Sequence, residues 1–299
     1  MKKYLKKFCK FLYEHAIKCC RTLVSLLSCL LFSSPSAALS LMRCRKNRSW
    51  QKEECFILGN GPALNDALKN LKDKSKTDFW AVNFFALQDV FFELKPDNYM
   101  IMDPVFWQSG GSVTCDNEKR NEALRGDVVK FWDIMNKIDW PMNLFIPERC
   151  PKYVIENISS AVKVVRVNTT PVEGWNFFRF SLFNAALGMP LPQNVTNAAI
   201  YCAIFLHYKK IYLYGVNHSW MVDLMVDENN KIYTAYKHFH ADCPEKYFLK
   251  KGALELHLRA YANTFASHSV LDEYSRACGV RVYNRTRGSF IDAYEFDVD

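Results

Sequence analysis

Several groups of residues in this 299-residue chain have types and spacings suited to chemistry. Gly59-Asn60-Gly61-Pro62 follows a short apolar run at 55–58 and precedes helical spacing over 63–71. Glycines there permit positive φ and close backbone approach, so successive N–H groups can face an anion at the helix start. The turn lacks the Lys-Ser/Thr of a P-loop and the third glycine of a dinucleotide fingerprint. A tight turn capped by Asn60 is an equal reading. Asn83 ends a second apolar run, and Asp103-Pro104 follows a third. An asparagine amide offers a donor and an acceptor to a base or ribose, and Asp103 can hold a hydroxyl or a metal. Each can also be a helix cap. Thr196-Asn197 opens an apolar helical stretch, and the apolar run 210–216 leads through Gly215 and Val216 into Asn217-His218. Tyr233, Tyr236, His238 and His240 come next. Tyrosine hydroxyls can bind a leaving phosphate, and a histidine can act as general base near neutral pH. His238 and His240 lack a third ligand at zinc spacing, so no metal is expected.

These residues need a frame that brings strand ends together. Apolar runs at 55–58, 79–83, 98–102, 143–146, 162–167, 210–216 and 280–283 read as strands. Residues 63–71, 118–138, 196–208 and 253–278 read as helices. The alternation predicts an α/β fold with a mostly parallel sheet covered on both faces. Ligands of such sheets bind outside the carboxyl ends of the strands, where the polar residues above fall. Two stretches fit the alternation poorly, 170–193 and 217–252. The second is read as a functional loop or lid.

At 49% hydrophobic and 23% charged residues, the chain is too apolar for disorder and too charged for a polytopic membrane protein. The net charge is +8, but its placement argues against a nucleic-acid partner. Residues 1–50 hold eleven Lys and Arg against one acid, Glu14, a local net of +10 that leaves −2 on the rest. The eleven cysteines form no CxxC pair, so neither a zinc site nor a disulfide framework is supported, and free thiols fit a reducing compartment. The chain thus divides into a basic arm, 1–50, and a near-neutral domain, 51–299. Residues 1–20 have the apolar spacing of an amphipathic helix (Leu5, Phe8, Leu12, Ala16). Residues 22–42 carry no charge, but six are serine and Pro35 interrupts them. An interfacial anchor on an anionic membrane surface, a single span, a secretory signal and a helix packed on the domain all compete for this arm. The membrane-association reading is preferred, as a peripheral or single anchor.

Residues 57–64, containing Gly59-Asn60-Gly61-Pro62-Ala63-Leu64, resemble the opening Gly-Asn-Gly-Pro-Ser-Leu motif of the Campylobacter-type bacterial sialyltransferases, glycosyltransferase family forty-two. They equally resemble the 6-hydroxymethylpterin pyrophosphokinase-like family. Asn83 resembles the sialyltransferase asparagine after the second strand, and Asp103-Pro104-Val105-Phe106 resembles an Asn-Pro-Ser-Leu segment with Asp in place of Asn. The block from Thr196-Asn197 to Asn217 resembles a Thr-Ser to Ser-Gly-Ile-Asp block, with Asn217 where the family has Asp. Residues 285–290 resemble the C-terminal segment. The resemblance covers about residues 54–292 in order.

It implies a Rossmann-like, GT-A-like fold without the metal-binding Asp-x-Asp. It also implies a CMP-activated donor such as CMP-sialic acid or a Kdo-like sugar, and a glycan or glycolipid acceptor. Gly59, Asn60, Gly61, Pro62, Asn83, Asp103, Thr196, Asn197, Gly215 and Asn217 would then line the nucleotide site, with no cofactor beyond the CMP-sugar. The family's lid tyrosines and histidine base do not align residue by residue, since Ser219 stands at one tyrosine position. Tyr233, His238 and His240 are the candidates by chemistry and location. A bacterial enzyme of polysaccharide biosynthesis on the cytoplasmic face of the inner membrane is the resulting expectation. A Mg-ATP-dependent pyrophosphokinase, slightly favoured by Asp103, and an inactive nucleotide-binding module are the alternatives.

Overall fold

The computed structural model describes residues 2–47, 52–68, 76–108, 118–236 and 245–297. In chain order the first elements are α1 (Lys2–Phe32), α2 (Pro35–Lys46), β1 (Glu54–Leu58), α3 (Leu64–Leu68), β2 (Thr77–Val82), α4 (Asp89–Leu94) and β3 (Asn98–Met100). Then come α5 (Glu118–Met135), β4 (Met142–Pro147), β5 (Val162–Val167), α6 (Asn176–Asn184), α7 (Val195–Phe205) and β6 (Lys210–Tyr214). The last are β7 (Leu224–Val226), β8 (Ile232–Tyr236), β9 (Glu245–Phe248), α8 (Leu254–Ala277), β10 (Arg281–Asn284) and β11 (Glu295–Phe296).

Eight strands form one sheet in the order β11-β10-β6-β1-β2-β3-β4-β5, and every neighbouring pair is parallel. Parallel strands must be covered on both faces, which is why β2 and β4 are buried along their whole length. On one face α7 lies against β1, β2, β3 and β6. All of its residues are buried and, beyond Thr196 and Asn197 in its first turn, it is almost wholly apolar with no solvent side. On the other face Phe79, Phe91, Tyr99, Phe131 and Leu144 join α4 and α5 in a second core.

From β1 the chain steps outward through β2, β3, β4 and β5, then crosses back to place β6 on the other side of β1. The strand order therefore reverses between β1 and β6. In open α/β sheets that point leaves a crevice outside the carboxyl ends.

Two regions differ from the sequence expectation. Residues 217–252 are not wholly irregular: β7, β8 and β9 make a small antiparallel sheet between β6 and α8. Its first hairpin is set by Asp227, whose Oδ1 accepts from the N–H groups of Asn229 and Lys231, with Asn230 left-handed at φ +55°. The arm also does not end at the domain. Pro35 breaks it as expected, at the first turn of α2, with Ser34 as cap. α2 then covers β5, burying Ala37, Ala38, Leu41 and Cys44. Ser40 Oγ accepts from Arg166 N at 3.0 Å, and Asn168 exchanges two hydrogen bonds with the Ser34 backbone. The boundary near residue 50 therefore separates sequence composition, while α2 is part of the folded body.

Candidate functional site

The crevice is closed at its base by backbone. Gly59 N donates to Tyr214 O and Gly61 N to Gly215 O, both at 2.8 Å, so the β1–β6 pairing continues past the strand ends. A Cβ on Gly61 would stand 2.3 Å from Asn217 Oδ1 and 2.5 Å from Gly215 O. Gly215 has φ +64°, and a Cβ there would meet Leu64 Cβ at 2.7 Å. Only glycine fits both positions. The Ala63 N–H is used on Asn217 Oδ1 at 3.4 Å and the Leu64 N–H on Gly61 O.

The expected row of anion-facing N–H groups is therefore not what this turn presents. Its glycines serve the close approach of two strand ends, because the neighbouring parallel strand offers carbonyls in register. With only five residues, α3 also has no long dipole behind it. Pro62 is exposed on this turn.

What the edge does present is a set of amides. Asn60, partly exposed, donates through Nδ2 to Val82 O at 3.2 Å and ties the ends of β1 and β2 together. Asn83 sits at φ +50°, held there by the Tyr99 hydroxyl, which donates to its carbonyl and accepts from Ala86 N at 2.8 Å. Its side-chain Oδ1 is buried and has no partner among the described residues. Asn217 bridges three segments: its Oδ1 takes Ala63 N, its Nδ2 donates to Arg287 O at 3.3 Å, and its carbonyl accepts from Phe290 N. The turn at 59–62, the end of β6 and the segment 285–290 thus meet at one asparagine.

Asp103 is exposed and caps the 3-10 turn Pro104–Phe106, its Oδ1 accepting from Val105 N at 3.0 Å. Thr196 and Asn197 lie in the first turn of α7, which Asn194 caps by accepting from Thr196 N at 2.8 Å. Both are buried. Asn197 Nδ2 donates to Thr264 O of α8, and its Oδ1 has no partner among the described residues. Tyr233 lies on β8 with its hydroxyl donating to Met225 Sδ at 3.4 Å, and it is 8% exposed. His238 and His240 lie outside the described residues. Among the described residues no three His, Cys, Asp or Glu side chains group together as metal ligands.

His218, which directly follows the Gly215–Asn217 strand end, was not among the candidate site residues. It is left-handed at φ +49° and 5% exposed, and its ring stacks on Trp220 at 4.3 Å. Across from it, 5.1 Å away between ring centroids, lies His268 of α8. His268 Nδ1 pairs with the Tyr294 hydroxyl at 3.0 Å. Neither Nε2 has a partner among the described residues. Burial pushes both rings below the usual histidine range, His268 to about 3, and the neighbouring His268 lowers His218 further. Both are neutral at pH 7. The available signal for His218 was its place one residue past a polar strand end; nothing local pointed to His268, fifty residues on.

Fold and site together define a doubly wound α/β protein with an amide-lined edge at its switch point. No family model matches the chain, and no curated protein sequence matches it. Solved structures similar at a low level include the following two. One is the sialyltransferase CstII from Campylobacter jejuni in complex with a substrate analogue, cytidine-5'-monophosphate; the TM-score is 0.38 and the identity 12%, over 82% of this chain and 84% of that one. The other is a variant of the alpha-2,3/8-sialyltransferase CstII, with TM-score 0.35 and 14% identity over 81% and 85%. Both likenesses are too slight to assign an activity, and the architecture stands on the sheet described above.

Proposed function

We propose that the protein is a membrane-associated glycosyltransferase that moves a sialic acid or Kdo-like sugar from a CMP-activated donor to a cell-surface glycan or glycolipid acceptor. The observation that carries the reading is the edge at the β1–β6 switch point, where Asn60, Asn83 and Asn217 meet a turn held tight by Gly59, Gly61 and Gly215. Its motifs are those on which the sequence resemblance rests. The unpartnered side-chain Oδ1 of Asn83 suits a base amine or a ribose hydroxyl.

In the proposed reaction the acceptor hydroxyl oxygen attacks the anomeric carbon. The bond from that carbon to the phosphate oxygen breaks, and CMP leaves with the electron pair. His238, or His240 two residues on, takes the acceptor's proton, and the Tyr233 hydroxyl serves the leaving phosphate by exchanging Met225 Sδ for a phosphate oxygen. No metal takes part in this scheme. The basic arm holds the enzyme on the cytoplasmic face of an inner membrane, where a lipid-linked acceptor is concentrated.

Thermal shift against CMP, UDP, GDP and ATP, each with and without magnesium, tests the reading. A ligand at a hundredfold its dissociation constant stabilises by about 2.7 kcal/mol. The largest shift is expected from CMP and is independent of magnesium. A shift from ATP with magnesium and none from CMP overturns the reading in favour of a pyrophosphokinase. Release of CMP from CMP-sialic acid or CMP-Kdo with a lipid-linked acceptor then tests turnover; CMP binding without turnover of any nucleotide sugar, and no effect of His238→Ala, would make the protein a binding module.

A further inference from the structure

The helix α1 has an unusual division of faces. By length and apolar content it is the one described helix long enough to cross a membrane. Yet the side it turns toward the body is its polar one. Thr22, Ser25 and Cys29 are buried there. Thr22 Oγ1 accepts from Trp175 N at 3.0 Å, Ser25 Oγ accepts from Glu173 N at 2.9 Å, and Ser33 Oγ, just past the helix, donates to Thr170 Oγ1 at 2.9 Å. Gly174 makes room for this contact: a Cβ there would stand 2.1 Å from Thr22 Oγ1.

The outward side is apolar. Leu23, Val24, Leu27, Leu30 and Leu31 are 58–80% exposed, and Leu5, Phe8 and Leu12 extend the same side toward the N-terminus. The helix also carries six Lys and Arg21 against one acid, Glu14. At 100° per residue, Lys3, Lys10 and Arg21 lie on one flank of the apolar stripe, Lys7 and Lys18 fall on the side of Ser25 and Cys29, and Lys2 and Lys6 fall within the stripe's own arc at the N-terminal end. The body adds to this surface. Trp175 packs by His15 and under Lys18 of α1, and just beyond it α6 exposes Phe177 (76%) and Phe178.

A leucine stripe with a cationic flank has the chemistry of a helix lying in the headgroup layer of an anionic leaflet. Crossing the bilayer would require Thr22, Ser25 and Ser33 to abandon their partners on the body and be hydrogen-bonded again in hydrocarbon. We propose that α1 lies in the plane of an anionic membrane as a monotopic anchor, clamped to the body by its Thr-Ser face, with Phe177 and Phe178 of α6 entering the same leaflet. This rests on reading the arm as membrane-associated and specifies how it associates.

The full chain, without nucleotide, is mixed with vesicles of phosphatidylcholine alone or with phosphatidylglycerol, and binding is read by co-sedimentation. The anionic vesicles are expected to bind about tenfold more tightly. The double variant Phe177→Ser, Phe178→Ser, melting at an unchanged temperature, is expected to bind about tenfold more weakly. On the bound wild-type protein, a water-soluble maleimide is expected to react more slowly with Cys9 and Cys20, both exposed in the free chain. A non-permeant amine reagent added outside is expected still to reach Lys3 and Lys10. Shielding of those lysines inside the vesicles overturns the in-plane arrangement but leaves membrane association standing. Absence of vesicle binding overturns both, as does a dimer in sedimentation that buries the leucine stripe instead. Unchanged binding of the phenylalanine variant overturns the part assigned to α6.

Discussion

At the amino ends of the strands, buried polar side chains are linked to one another, although Asp78 Oδ1 has only the Lys52 ammonium nearby and no hydrogen bond; at the carboxyl ends, several polar atoms have no partner among the described residues. Near the start of β2, Asp78 accepts from the Tyr208 hydroxyl at 2.8 Å and from Lys52 N at 3.0 Å, with the Lys52 ammonium 3.6 Å away. Tyr208 accepts from Asn98 Nδ2 in turn, and Asn98 Oδ1 from Asn143 Nδ2 at 3.0 Å. Burial raises the Asp78 carboxyl, the nearby Asp97 adds to the rise, and the hydrogen bonds from Lys52 and Tyr208 oppose it. At the other end, Asn83 Oδ1, Asn197 Oδ1 and the Nε2 atoms of His218 and His268 have no partners among the described residues. Unpaired buried polar groups cost stability, so they persist where something other than stability is served.

The contrast can be broken at its strongest points first. Asp78→Ala strips Tyr208 and Lys52 N of their acceptor and is expected to cost about 3 kcal/mol in denaturant unfolding, with no change in CMP affinity for what folds. Gly61→Val, which drives a side chain into Asn217 and Gly215, is expected to cost about 2–3 kcal/mol and also to abolish nucleotide binding, because it pries the two strand ends apart. Survival of binding in that variant would separate the switch-point turn from the site.

The histidine pair gives the next effect. His218 and His268 are neutral when folded, with His268 at about 3, whereas the unfolded chain takes up protons below about 6.5. Stability should therefore fall as the pH drops from about 6.5 toward 3, with His268 contributing about 2 kcal/mol of the loss at pH 5 and His218 acting in the same direction. Asp78, raised by burial, pulls in the opposite sense at the acid end. Unfolding at pH 7.5, 6 and 5 in wild type and His268→Gln isolates the contribution, and parallel curves for the two proteins would show that burial of His268 does not govern it. The smallest stability effect is expected at Asn83. Asn83→Gly keeps the left-handed backbone and removes a side chain whose Oδ1 has no partner among the described residues, so unfolding should shift by no more than about 0.5 kcal/mol. CMP affinity should drop by about tenfold, the loss of one good hydrogen bond. A large loss of stability with unchanged affinity would place Asn83 with the amino-end residues.

The sequence by itself determined the parallel sheet. Runs such as Phe79–Val82 and Leu144–Ile146 are apolar on consecutive residues and short, which suits a strand covered on both faces. It also determined the break at Pro35 and the place of the Gly59–Pro62 turn, because proline and glycine act through the local backbone. The small sheet β7–β9 was less legible, since three- to five-residue strands separated by polar turns give little periodicity to read.

Tertiary structure decided the rest. The N–H groups of Gly59 and Gly61 face carbonyls of a strand more than 150 residues later in the chain, so their use depends on where β6 lands. His218 meets His268 only because α8 returns across the end of β6, and Asp78 meets Tyr208 at a separation of 130 residues. Thr22, Ser25 and Ser33, among the polar residues that weaken 22–42 as an apolar span, dock α1 on the body, which no helical spacing could reveal without the partners they bond. Local signals set the elements because they act within a few residues; the roles of their polar groups are set by partners that only the fold supplies.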